Sequence, residues 1–363
     1  MAAFERLVRP VLHALDPEDA HALTLKLLKF APRLSHAPDD PRLAVRAFGL
    51  NFPSPVGMAA GFDKNAEVPD VLLRLGFGFV EVGTITPRPQ AGNPRPRLFR
   101  LDADAGVINR LGFNSQGADT VLRRLAARAD AGGIVGINVG ANKDSPDRVA
   151  DYVALIERFA SVASYVTVNI SSPNTPGLRN LHQATALDDL LARVVDARER
   201  VAPNAGPTPV LLKIAPDLSL AELDDVVGIA RSRRVDGMIV GNTTVSRPPS
   251  LREKKLASEA GGLSGSPLLA LATRMLAETY VRVEGVFPLI GAGGIDSGAA
   301  ALAKIRAGAT LLQLYSALVF RGLGLVDDIK SVLLRALERH RFDSLAELVG
   351  ADAAAVTAEP WPN

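Results

Sequence analysis

From about residue 55 onward, short apolar runs alternate with longer amphipathic stretches. The runs fall at 55–59, 77–84, 133–139, 165–170, 209–214, 237–240, 287–291 and 310–315. Each has the length and composition of a strand buried on both faces. Leu-, Ala- and Arg-rich segments separate them at 68–75, 118–131, 148–160, 187–201, 220–232, 268–282, 297–307 and 325–340. Their apolar positions recur at helical spacing. Strands alternating with helices predict βαβ units on a parallel sheet. Eight such units in succession predict an α/β chain folded as a (β/α)8 TIM barrel. A doubly wound open sheet is the alternative. Eight pairs is many for one, and no GxGxxG turn opens a helix after a strand.

The first 35 residues follow a different pattern. Phe4, Leu7, Val8, Val11, Leu12 and Leu15 form one helical face, with Arg6, Arg9 and His13 off it. Asp16-Pro17 then reads as an N-cap followed by proline at the first helical position. Ala20, Leu23, Leu27 and Phe30 share a face of this second helix, Lys26 and Lys29 lie elsewhere, and Pro32 ends it. We therefore divide the chain into a small two-helix extension at 1–35 and a barrel domain at 36–363. The pair could pack on the main core or lie in a membrane interface. Arg6, Arg9, Pro10 and Asp16 interrupt any secretory signal core, and no run approaches 18 apolar residues.

A barrel places its chemistry where strands end at their C-terminal edge. Those ends carry Ala60-Gly61-Phe62-Asp63-Lys64-Asn65, Gly83-Thr84, Asn138, Asn169 with Ser171-Ser172-Pro173-Asn174-Thr175, Lys213, Asn242-Thr243-Thr244, Gly291–Gly294 and Tyr315-Ser316. Polar residues at nearly every terminus are hard to explain as packing. Two inserts, 87–112 and 245–266, are long enough to be functional covers of this mouth.

Composition narrows the chemistry. Lys+Arg 41 against Asp+Glu 39 leaves a net charge of +2, too balanced for a nucleic-acid surface. The absence of cysteine excludes disulfides, iron–sulfur clusters and a cysteine base. The five histidines, at 13, 21, 36, 182 and 340, are too dispersed to suggest a metal centre. Gly265 and Gly293-Gly294 precede helices at the corner where such barrels hold phosphate, although each alone could be a tight turn. Lys64 and Lys213 project from opposite strands and could hold an anion, or one could form a Schiff base. Asn109, Asn138, Asn169, Asn174 and Asn242 suit a flat, hydrogen-bond-rich ring such as a pyrimidine or flavin, though any single Asn could be a turn or cap. Ser172 could be a turn hydroxyl. As a base, it would need a site that excludes water.

The string Asn169-Ile170-Ser171-Ser172-Pro173-Asn174-Thr175-Pro176-Gly177-Leu178-Arg179 resembles the signature of the class 2, quinone-dependent dihydroorotate dehydrogenases. The segments Ala59–Asn65, Asn109–Asn114, Lys213–Asp217, Gly261–Gly265 and Gly291–Gly294 match the same family in order, over essentially the whole chain. The resemblance implies a barrel holding FMN that oxidises dihydroorotate to orotate in pyrimidine biosynthesis. It implies that Ala60, Gly61, Lys64, Thr84, Asn138, Asn169 and Lys213 contact the FMN ring. Gly265, Gly294, Tyr315 and Ser316 would contact its phosphate and ribityl chain. Gly241 stands where relatives often carry threonine, and would contact the flavin only through backbone.

Substrate contacts by the same resemblance are Lys64, Asn109, Arg110, Leu111, Gly112, Phe113, Asn169, Asn174, Asn242 and Thr243. Ser172 would be the base that removes the C5 proton, with Thr175 helping to relay it. Class 1 relatives use a cysteine base, so the lack of cysteine and the extra helices both point to class 2. The helices would then form a tunnel for a membrane quinone, with His21 and Arg100 beside it, and would bind the membrane surface. A start at Met1 without a transit peptide suggests a bacterial inner-membrane enzyme on the cytoplasmic face. No metal, nucleic acid or obligate protein partner is expected. A Schiff-base aldolase using Lys213 would leave Ser172 and the amides unexplained. A non-catalytic membrane-docking protein would leave the whole barrel mouth unexplained.

Overall fold

The computed structural model describes residues 10, 12–30, 38–175, 177–205 and 208–362. The first predicted helix, from Phe4 to Leu15, lies largely outside them, as do Pro32, His36, Pro176 and the proposed domain boundary at 35/36.

Among the described residues, thirteen strands follow one another: β1 (Val45–Ala47), β2 (Leu50–Phe52), β3 (Val56–Met58), β4 (Phe79–Ile85), β5 (Leu98–Leu101), β6 (Gly106–Asn109), β7 (Ile134–Val139), β8 (Val166–Asn169), β9 (Val210–Ile214), β10 (Gly237–Val240), β11 (Gly262–Gly265), β12 (Leu289–Ala292) and β13 (Leu311–Leu314). Eight of them close a parallel barrel in the order β3-β4-β7-β8-β9-β10-β12-β13, returning to β3. These are the eight runs predicted from the pattern, and a helix follows each on the outside. Strands β3, β4, β8, β9, β10, β12 and β13 are buried at every position, because helices cover one face and packed side chains fill the other. The outer helices present apolar stripes inward. In helix Ala184–Ala205 the stripe is Leu187, Leu190, Leu191, Val194 and Ala197, at the spacing of 3.6 residues per turn.

Strands β1 and β2 form a hairpin that plugs the N-terminal end of the barrel. Its turn, Phe48-Gly49, has positive φ at both residues (52° and 75°), the backbone of a tight two-residue hairpin. Phe52 packs edge-on against Phe79, with ring centroids 5.1 Å apart. The interior is therefore closed below and open above.

At the open end, parts of the two inserts form regular structure. They pair with each other as an antiparallel sheet in the order β11-β6-β5. Their strands are only four residues long and come from segments more than 150 residues apart, so local periodicity could not reveal the pairing. Leu101, Ile108, Leu251 and Leu263 form a small core beneath this cover.

The helix Pro17–Lys29 starts where predicted. The Asp16 carboxylate accepts from the Glu18 and Asp19 amides, and Pro17 occupies the first turn. Of the predicted face Ala20, Leu23, Leu27 and Phe30, only Ala20 is buried, while Phe30 is 86% exposed. Leu25 and Leu28 pack against the main core, and polar contacts fasten the helix further. Arg97 holds Glu18 through both carboxylate oxygens (2.7 and 3.0 Å), and Lys29 pairs with Glu67. Arg100 donates to the carbonyls of Leu12, His13 and Leu15. Among the described residues, no helix is long and apolar enough to cross a membrane.

Candidate active site

A single cavity of about 760 Å³ begins inside the barrel mouth and runs out beneath helix Pro17–Lys29. Its inner wall includes Lys213, Asn169, Gln313 and Ser172. Its outer wall includes Leu27, Leu28, Leu318 and Leu323. The same space thus passes from a hydrogen-bonding end to an apolar end.

Most of the predicted site residues meet here. Ala60, Gly61, Lys64, Thr84, Asn169, Lys213, Gly241, Gly265, Gly294, Tyr315 and Ser316 line the cavity, as do Asn109, Leu111, Gly112, Phe113, Ser172, Asn174, Asn242 and Thr243. His21 and Arg100 line it too, near the helix. Three do not reach it. Asn138 lies behind Thr84 and Asn169 and is fully buried. The Arg110 guanidinium turns outward to Glu259, 2.6 Å away, and stacks over Phe99. The Thr175 hydroxyl is buried without a hydrogen-bond partner.

The floor is a row of amides and hydroxyls. Asn242 donates to Ser171 Oγ (2.8 Å), and Ser171 donates to Asn169 Oδ1 (2.8 Å). Asn169 donates to Asn138 Oδ1 (2.9 Å), and Asn138 donates to Glu81 Oε1 (2.8 Å). Glu81 and Gln313 were missed in the sequence. Each is a polar residue inside an apolar run, at an inward-facing position of β4 or β13, and that interruption was the available signal. Tyr165, Thr167 and Gln313 donate to Glu81 Oε2 at 3.1, 3.0 and 2.9 Å.

Ser172 follows the end of β8, is only 6% exposed, and accepts from the Asn174 amide at 3.3 Å. A short turn bends the chain back so that Asn174 reaches Asn109 on the cover sheet (3.3 Å). Asn93, also on the cover, donates to the Asn174 carbonyl (3.1 Å) and clamps the turn from above.

Two lysines face the cavity from opposite sides of the barrel. Burial lowers the Lys64 ammonium to about 8, and it donates to the Gly61 carbonyl at 3.0 Å. Burial also pushes Lys213 down, with the Glu81 charge opposing the shift. Among the described residues, no protein acceptor lies within hydrogen-bond distance of the Lys213 ammonium. His21 is driven to about 3 by burial and the nearby Lys64 charge, so it is neutral. Its ring packs edge-on to Phe62 at 5.3 Å.

Gly265 and Gly294 lie at the corner between β11, β12 and the helices that follow. Both have positive φ (90° and 79°), and a Cβ on either would sit 2.3 Å from neighbouring backbone. Only glycine permits that approach, which leaves bare backbone on the cavity wall. Ser264 and Ser316 hydroxyls meet there at 2.8 Å.

The family profile described as dihydroorotate dehydrogenase matches residues 42–337. A protein of Bradyrhizobium diazoefficiens named dihydroorotate dehydrogenase (quinone) is 71% identical over 361 residues, covering 99% of each chain. One of the same name from Rhodopseudomonas palustris strain TIE-1 is 73% identical over 360 residues, again covering 99% of each. The crystal structure of the Eimeria tenella enzyme in complex with ferulenol superimposes with a TM-score of 0.89 at 38% identity, covering 94% of this chain and 98% of that one. A barrel mouth built from these strings, matched along its whole length by such relatives, makes the chain a member of the dihydroorotate dehydrogenase family.

Proposed function

We propose that this protein oxidises (S)-dihydroorotate to orotate in pyrimidine biosynthesis, with a membrane quinone as electron acceptor. The observation that carries this reading is the cavity itself. It joins a polar barrel mouth, where a pyrimidine ring can be held, to an apolar passage under the N-terminal helix. Relatives at 71–73% identity bear the name of that activity over the full length.

The family is flavin-dependent, and the residues present fit FMN. Gly265 and Gly294 offer bare backbone for a phosphate, with Tyr315 and Ser316 beside them. The buried Lys213 ammonium, without a protein acceptor among the described residues, and the unpaired Gln313 Oε1 are a donor and an acceptor for a polar ring edge. Ala60, Gly61, Lys64, Thr84, Asn169 and the Gly241 backbone complete the wall, with Asn138 as support. When bound, FMN supplies a hydride acceptor that can pass electrons on to a quinone.

The chain's own residues do the rest. Lys64 pairs with the substrate carboxylate, and Asn109, Asn174, Asn242 and Thr243 read its ring edges. Arg110, Leu111, Gly112 and Phe113 form the rim, Arg110 through its backbone. Ser172 takes the proton from C5 as hydride leaves C6, so the C5–C6 double bond forms with both hydrogens accounted for. Serine is a weak base, and burial excludes the water that would compete. The Asn174 amide stabilises the oxygen as it shares the substrate's proton. We assign Thr175, whose buried hydroxyl has no hydrogen-bond partner, to relay that proton onward. Lys213 balances the negative charge that accumulates on the ring side of the site.

His21 and Arg100 flank the quinone passage. The exposed Leu15, Leu27 and Phe30, with Lys26 nearby, dock the protein peripherally on the cytoplasmic face of a bacterial inner membrane.

Ser172→Ala tests the assignment. The variant should bind orotate within about threefold of wild type, yet reduce its flavin more slowly by roughly 10²–10⁴-fold in stopped flow. Unchanged flavin reduction would remove Ser172 as the base.

A further inference from the structure

An asparagine side chain has a donating end and an accepting end of nearly equal size. A row of them can run in either direction unless something at one end decides. Here the row is Asn242, Ser171, Asn169 and Asn138, and it ends on Glu81. Glu81 sits in the middle of β4 with no solvent exposure. A carboxylate only accepts hydrogen bonds. Asn138 must therefore turn its NH2 toward Glu81 and its oxygen toward the site. That oxygen then accepts from both Thr84 Oγ1 (2.6 Å) and Asn169 Nδ2 (2.9 Å). Asn169 in turn offers its oxygen to Ser171, whose Oγ accepts from Asn242. The Asn242 oxygen is left for the Thr243 amide at 2.8 Å. Reversing any one amide would bring two acceptors or two donors face to face.

The same carboxylate orients Gln313. Its NH2 reaches Glu81 Oε2, which leaves its own oxygen buried and unpaired at the cavity wall. Backbone N–H groups of Ser171 and Thr243 orient Asn169 and Asn242, so Glu81 decides at the two amides it touches. Resting on the functional reading above, we propose that Glu81 is a positioning residue that fixes the donor–acceptor direction of Asn138 and Gln313, and so decides which hydrogen-bonding edges the bound rings meet. It touches neither substrate nor flavin and acts through Asn138 and Gln313.

A charge exchange within the row tests direction rather than mere packing. Glu81→Gln keeps the shape but can donate or accept, so Asn138 loses its single direction and mispairs with Thr84 and Asn169. Orotate should bind roughly tenfold more weakly to the flavin-loaded variant, the scale of one mispaired buried group. Asn138→Asp sets two carboxylates against each other and should weaken orotate binding at least as much. In the double variant, the amide introduced at position 81 can only donate to the carboxylate introduced at position 138, whose other oxygen again accepts from Thr84 and Asn169. The original direction returns, and orotate affinity should recover to within about threefold of wild type.

A purely structural role would give losses that add, with affinity falling in step with the unfolding temperature. Wild-type affinity in Glu81→Gln, or a double variant no better than the two losses combined, would overturn the proposal. Wild-type protein that held no flavin and bound no orotate would instead defeat the functional reading. The exchange is then read in unfolding temperature alone, where recovery in the double variant supports the row and additivity refutes it.

Discussion

Lys64 joins a catalytic expectation to a measurable pH. Burial holds it at about 8, below an ordinary lysine. Its positive charge is present below that value and is lost as pH rises through it. Orotate carries a carboxylate at all these pH values, so its dissociation constant should be flat below pH 8 and should rise above it. Lys64→Met should bind orotate weakly and show no such rise. Titration of flavin absorbance with orotate between pH 6 and 9.5 checks both. A wild-type curve that stays flat to pH 9.5 would place the carboxylate elsewhere. Lys213, pushed down by burial as well, has the environment of a Schiff-base amine. Membership of the dihydroorotate dehydrogenase family sets the aldolase reading aside.

The N-terminal helix and the cover sheet are tied to each other by side-chain contacts. Glu18 and Arg97 are 14% and 10% exposed, and their two-pronged pair carries much of the attachment. Arg97 also donates to the Ala91 and Asn93 carbonyls, and Asn93 holds the Asn174 turn. The Arg97 hydrogen bond keeps the Glu18 carboxyl below its usual range. A depressed carboxylate stabilises the fold above its unfolded pKa and loses that contribution as pH falls through its folded one. The helix should therefore loosen on acidification below the ordinary glutamate range, and Glu18→Gln should loosen it at neutral pH. The cost is about 1–3 kcal/mol, between the exposed and fully buried limits for ion pairs. The functional consequence should fall on quinone-dependent turnover, leaving anaerobic flavin reduction nearly intact. Equal losses in both half-reactions would show that the helix serves the barrel as a whole.

The molecule as a whole shows which features a sequence carries openly. The eight barrel strands are each local and apolar, and their ends carry the polar residues, so the fold and most of the site are legible from pattern. Strands β6 and β11 pair across more than 150 residues, and no local period announces that. Glu81 and Gln313 hide because a single polar residue in an apolar run reads as an exception until its partners are brought beside it. Arg110 shows the converse, since a matching motif says nothing of where its side chain turns. If the cavity serves both half-reactions as proposed, its apolar end also restricts the oxidant. A long-chain quinone analogue should support turnover, while fumarate or NAD should give almost none. Efficient use of either would contradict an apolar passage as the electron exit. The most direct test of the central claim is the visible spectrum of the purified protein during anaerobic addition of dihydroorotate, followed by quinone. Flavin absorbance should bleach with dihydroorotate and return with quinone. A protein that stays colourless, or keeps its colour unchanged after reconstitution with FMN, would contradict it.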